Sequence, residues 1–191
     1  MNLIKKLLIL KIIYFVIPRA HEYSDPYTHP LSKLSLRTSQ NNLCAPENLI
    51  GNVNVDVEII DYTAVEMNLK HLNIIKGGKN IPDCIYDSKV AIIVPLRNRD
   101  SQMVTFLNHM HPILQRQNIY YQIFGIVQSE MGEFNRGKLF NIGFMEANSI
   151  DNFDCFIFHD VDFLLLNDHL KYVCDDSPSH FARATNIWNH E

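Results

Sequence analysis

Lys89-Val90-Ala91-Ile92-Ile93-Val94-Pro95 is the stretch that decides the fold class. Its unbroken, largely β-branched apolar run closing on Pro95 is the pattern of a strand buried on both faces of a parallel sheet. Working towards the C-terminus, Met103, Phe106-Leu107, Met110 and Leu114 recur at helical spacing, with Asp100 or Ser101 placed as N-cap and Pro112 as a candidate kink. Ile119–Val127 then reads as a second strand, Lys138–Asn148 as a second helix and Cys155–Phe158 as a third strand. Strand, helix, strand, helix, strand defines a doubly wound α/β arrangement, and in such sheets ligands bind beyond the carboxyl ends of the strands.

Towards the N-terminus the signals weaken. Val53, Val55 and Val57 alternate and suit a short strand, and Gly77-Gly78 marks a turn. Residues 21–40 are rich in Ser, Thr, Pro, His and Tyr without a sustained apolar period, the composition of a flexible stem that cannot bury enough surface to offset its ordering entropy. Residues 1–20 place Lys5 and Lys6 before an apolar run from Leu7 to Pro18, broken only by Lys11. That run is signal-peptide length and shorter than the ~20 residues of a spanning helix. Pro18 and Arg19 occupy the place where a cleavage site needs small residues, which favours an uncleaved signal anchor over a cleaved peptide.

The composition, 47% hydrophobic and 20% charged, suits one globular domain with appendages. A formal net charge of −4 and a pI near 6.1 give no general attraction to nucleic acid. Four cysteines, Cys44, Cys84, Cys155 and Cys174, form no Cys-x-x-Cys pair, which argues against zinc. In an oxidising compartment an even count indicates two disulfides, with three pairings open.

Three polar groups fall just after the expected elements: Arg97-Asn98-Arg99 after the first strand, Phe134-Asn135-Arg136 before the second helix, and Asp160-Val161-Asp162 after the third strand. Guanidinium groups supply planar donors for phosphate oxygens, and carboxylates supply hard ligands for a divalent cation, the needs of a bound diphosphate. An Asp-x-Asp triplet alone is weak, since about one arises by chance in such a chain. Its place directly after Cys155-Phe156-Ile157-Phe158 is what delivers it to the ligand edge. The blander alternatives are a solvated loop for the acids, solvent-facing charges for the arginines and a core position for Phe134. His159, one residue before the acids on a strand, points to the opposite face from Asp160 and reads as a packed or hydrogen-bonded histidine, not a ligand.

Four ordered phrases, KVAIIVPLRNR from Lys89, HPILQRQNIYYQIFGIVQ from His111, FNRGKLFNIGF from Phe134 and FIFHDVDFLLLND from Phe156, resemble blocks of the β-1,4-galactosyltransferase family; the similarity runs from Cys44 to roughly Ala184. The resemblance implies a type II, single-pass Golgi membrane enzyme with a lumenal GT-A-like domain, here partial. It also implies manganese as cofactor, a UDP-sugar donor, UDP-galactose first, and a glycan acceptor such as terminal N-acetylglucosamine, with inversion at the anomeric carbon. Pro95, Arg97, Arg99, Phe134 and Arg136 match positions that hold the donor nucleotide, Asp160 and Val161 match donor contacts, and Asp162 matches the manganese ligand. The cysteines would pair Cys44 with Cys84 and Cys155 with Cys174. Leu96 stands where an aromatic residue is usual and Gly137 where alanine is usual.

The expected organisation is an anchor (1–20), a stem (21–40), the N-terminal part of the lumenal region (41–88), the nucleotide-sugar-binding half of the transferase domain (89–184) and a divergent tail (185–191). The family's general base lies in a later Trp- and Gly-rich acidic motif with later histidine ligands, and TNIWNHE after Ala184 matches neither, so no catalytic residue is assigned. The expectation is a chain that binds donor yet is inactive alone. The alternatives are an inactive lumenal paralogue retaining nucleotide or partner binding, and the same fold using UDP-N-acetylgalactosamine.

Overall fold

The computed structural model describes residues 13–14, 42–56, 61–129 and 132–181. In chain order its elements are β1 (Ile13–Tyr14), α1 (Tyr62–Leu69), β2 (Lys79–Asn80), β3 (Lys89–Leu96), α2 (Asp100–Arg116), β4 (Tyr120–Val127), α3 (Arg136–Ile150) and β5 (Cys155–Phe158). The sheet order is β1-β4-β3-β5, all parallel along that path, with β2 antiparallel to β4. The expected α/β alternation from β3 to β5 is therefore present, with β3 at the centre.

Every residue from Val90 to Val94 is fully buried, and the period of two divides them between two cores. Val90, Ile92 and Val94 meet Phe106, Leu107 and Met110 of α2 and Val65 and Leu69 of α1. Ala91 and Ile93 pack with Leu139 and Ala147 of α3. Gly143 lets α3 sit down on the sheet: a Cβ there would overlap Ile93 and stand 2.9 Å from Ile126 Cγ1.

Pro95 belongs to β3 instead of ending it. The Ile93 carbonyl accepts from His159 N–H on the β5 side, while Leu96 accepts from Gln128 N–H on the β4 side. By the same alternation Pro95 faces the β5 side, beyond the last β3–β5 pair at Ile93 and Phe158, where its missing N–H disrupts no ladder. The N-cap of α2 is Arg99, not Asp100 or Ser101, and it makes no side-chain cap; Asp100 instead lies in the first turn, where its charge favours the helix dipole. Pro112 lies inside α2, which continues to Arg116.

Val53 and Val55 are half-buried and Asn54 and Asp56 exposed, as alternation requires, yet no strand forms over residues 53–56, and Val57 lies outside the described residues. Val53 N–H donates instead to the Leu166 carbonyl at 2.8 Å, and the residues just before are held by Asp168, whose fully buried carboxylate accepts from Ile50 N–H (3.0 Å), Gly51 N–H (2.9 Å) and Arg116 Nε (2.8 Å). Burial alone would raise the Asp168 pKa, but these donors outweigh it and hold the carboxyl below its ordinary value. The turn at Gly77-Gly78 is present, with φ of 97° and 70°. Disulfides join Cys44 to Cys84 and Cys155 to Cys174, the pairing the resemblance implied. Closing loops of these lengths stabilises a fold by roughly 3–4 kcal/mol each.

Among the described residues no helix is long and apolar enough to cross a membrane. The anchor, stem and tail readings lie outside them, apart from Ile13 and Tyr14, whose backbone pairs in parallel with Ile126 and Val127.

Candidate functional site at the carboxyl edge of the sheet

Where β3 ends, Asn98 takes a left-handed φ of 53°, a conformation Asn tolerates, and turns the chain into α2 with Arg97 and Arg99 on either side. The connections from β3 and β4 leave for opposite faces, which opens a crevice between their carboxyl ends. Arg97 bridges it: Nη1 donates to the Gly132 carbonyl at 2.8 Å and the guanidinium lies 5.3 Å from the Phe134 ring centre. Phe134 is 41% exposed, which sets aside the core reading and leaves a face for a planar ligand. Gln128 shapes this loop, donating to the Glu133 carbonyl and accepting from Asn135 N–H, both at 2.8 Å.

Asn135 caps α3, its Oδ1 accepting from Lys138 N–H at 2.9 Å. The next residue, Arg136, reaches across to β5: Nε and Nη2 donate to the two carboxylate oxygens of Asp160 at 2.6 Å each. This fork-on-carboxylate geometry is the strong form of an ion pair, though Arg136 is 55% exposed and Asp160 24%. Gly137 has open space around it, the nearest atom to a built Cβ being Asn135 Oδ1 at 3.9 Å, so the alanine usual at this position would fit.

Asp160, Val161, Asp162 and Phe163 form a turn closed by Phe163 N–H donating to the Asp160 carbonyl at 3.2 Å. Val161 is buried in the α2-side core, so any ligand contact it makes would come through its backbone. Asp162 is exposed and makes no hydrogen bond or ion pair among the described residues. His159 is buried, 2.7 Å from the Tyr172 hydroxyl through Nε2, and burial lowers its pKa. It is the packed, hydrogen-bonded histidine expected.

Arg97 with Phe134 and Arg136 with Asp160 are thus brought into contact, while Arg99, Asp162 and the buried Pro95 lie at the same strand ends with no side-chain hydrogen bond or ion pair to these pairs among the described residues. Beside Arg136 and Asp160, along the outer side of β5, lies a cavity of about 800 Å³ walled by Phe158, Phe163 and the segment from Tyr172 to Phe181. No cluster of three or more metal-ligating side chains occurs among the described residues. A divalent cation would take Asp162 as an unengaged oxygen donor and fill its remaining positions from water and the ligand's phosphates, a fit for a cation that arrives with a diphosphate. Sequence reasoning missed Gln128, a lone amide at a strand end.

An α/β domain with arginines, an exposed aromatic face and a carboxylate turn gathered at its carboxyl edge has the donors an anionic ligand would need at a sheet switch point. Residues 44–175 match the N-terminal region of glycosyl transferase group 7, and the chain belongs to that family. It is 41% identical over 126 residues to human β-1,4-galactosyltransferase 4, an overlap of 66% of this chain and 37% of that protein. To bovine β-1,4-galactosyltransferase 1 it is 36% identical over 182 residues, covering 87% of this chain and 45% of that protein. The chain therefore spans under half the length of these relatives. A solved structure of a Drosophila β-1,4-galactosyltransferase 7 mutant with manganese, UDP-Gal and xylobiose shares 39% identity over 47% of this chain and 37% of its own, with a TM-score of 0.44.

Proposed function

We propose that this chain carries the donor site of a β-1,4-galactosyltransferase-type enzyme with a GT-A-like domain, acting on a UDP-sugar, UDP-galactose first, and a glycan acceptor such as terminal N-acetylglucosamine. The observation that carries the reading is the meeting at one sheet edge of Arg97 and Phe134 with Arg136 and the Asp160–Asp162 turn. Phe134 offers its exposed face to the uracil ring, and Arg97 keeps guanidinium donors beyond the one given to Gly132 for phosphate oxygens. Arg99, which is exposed, adds a second guanidinium two residues on from the half-buried Arg97.

When the sugar–phosphate bond breaks, negative charge grows on the departing UDP, and fixed guanidinium groups stabilise it more than they stabilise the intact donor. A manganese ion at Asp162 would supply further Lewis-acid stabilisation of that charge. Arg136 and Asp160 neutralise each other without ligand, so the donor has to exchange with that pair as it binds. We place the catalytic region in the Golgi lumen.

Amide chemical shifts recorded during a UDP and manganese titration test this. Shifts at Phe134, Asn135 and Asp160–Phe163, with none at Lys89, Tyr120 or Asp151 on the opposite edge, are expected. Shifts confined to the opposite edge would contradict the reading.

A further inference from the structure

We infer that His159 and Tyr172 form a positioning device that fixes the acidic turn carrying Asp162. The inference rests on the reading of Asp162 as a cation ligand.

The turn is closed at one atom, the Asp160 carbonyl oxygen, which accepts from Phe163 N–H at 3.2 Å and leaves Val161 and Asp162 as the central residues. The same oxygen lies 2.8 Å from His159 Nδ1. A carbonyl can only accept, so Nδ1 carries the proton; in the neutral ring Nε2 is then bare and accepts from the Tyr172 hydroxyl at 2.7 Å. Both ring nitrogens are committed, one to the turn and one to Tyr172. The ring is fixed in plane by Phe106, edge-on at 5.0 Å, and by the stacked Tyr172 ring at 5.9 Å.

Tyr172 is itself held: it is 3% exposed, stacks on Phe181 and donates its N–H to Gln117 Oε1 at 2.9 Å. Two residues further on, Cys174 is bonded to Cys155 at the start of β5. One segment is therefore fastened to both ends of β5, by a disulfide at Cys155 and by the Tyr172 hydroxyl at His159. Rigid placement of the turn lowers the ordering cost when a cation binds a single carboxylate, the effect that outer partners exert on metal ligands generally.

The test is calorimetric titration of manganese, with UDP present, into the whole chain and into Tyr172→Phe, His159→Phe, Asp162→Ala and Tyr121→Phe. Tyr121→Phe is the control, because it removes another buried hydroxyl–imidazole bond, to His111 Nδ1 at 2.8 Å, remote from the turn. Tyr172→Phe and His159→Phe should weaken manganese binding about tenfold, and hydrogen exchange at the Phe163 amide should quicken. The control should bind within about twofold of the parent at a comparable loss of stability. Unaltered binding in Tyr172→Phe and His159→Phe, with Asp162→Ala binding lost, overturns this inference alone. Unaltered binding in Asp162→Ala removes the cation reading and this inference with it.

Discussion

Arg136, the first residue of α3, grips both carboxylate oxygens of Asp160 just beyond β5, at 2.6 Å each. The contact joins the two elements that bound the proposed donor site.

Because both partners are partly exposed, Arg136→Ala should cost at most about 1 kcal/mol of stability. Its effect on UDP affinity should be larger, about tenfold, since a bidentate phosphate donor is lost. Arg136→Lys, which keeps the charge and loses the fork, should fall between. Urea denaturation and UDP titration on the same samples separate the two effects; UDP affinity within twofold of the parent in Arg136→Ala would assign Arg136 to the fold only.

Two glycines in α3 should respond in opposite directions. Gly143→Ala forces the helix off Ile93 and Ile126 and should destabilise by about 1–3 kcal/mol. Gly137→Ala meets open space in the first turn and should stabilise by roughly 0.5–1 kcal/mol through the unfolded chain. Urea midpoints at constant slope measure both.

Acid should weaken the fold before its carboxylates titrate. His111 is fully buried, and desolvation lowers its pKa from 6.5 to about 3; His109 and His159 are lowered by burial too. A histidine held neutral in the fold but free to protonate when unfolded leaves stability intact above its unfolded pKa. That stability is lost as pH falls from 6.5 towards the folded value. His111 alone should remove about 1.4 kcal/mol per pH unit across that window. His111→Gln should flatten the slope between pH 6.5 and 4.5 even if the variant is less stable throughout; an unchanged slope would contradict the assignment.

The central strand was legible because five consecutive buried positions, Val90 to Val94, leave no polar face, and the acidic turn was legible because it follows another short apolar strand. The cysteine pairing came from family resemblance; spacing left three choices open. Helix α1 was not anticipated, since only Val65 and Leu69 are buried on it and its start is signalled by Asp61 alone. Alternation at Val53 and Val55 reported the buried side correctly but could not reveal that the backbone lacks a partner strand. Gln128 shapes the loop beside the site through contacts to backbone groups, and Asp168 ties residues 50–51 to the end of α2 through partners far off in the chain; neither leaves a periodic trace in a sequence.

The most direct measurement is the affinity of UDP for this chain by titration calorimetry, with manganese, with chelator, and in Asp162→Ala. UDP binding that weakens by about tenfold or more on chelation and equally in Asp162→Ala is the expected result. UDP binding unchanged by chelator or by Asp162→Ala would contradict the assignment of the sheet's carboxyl edge as a metal-assisted nucleotide-sugar site.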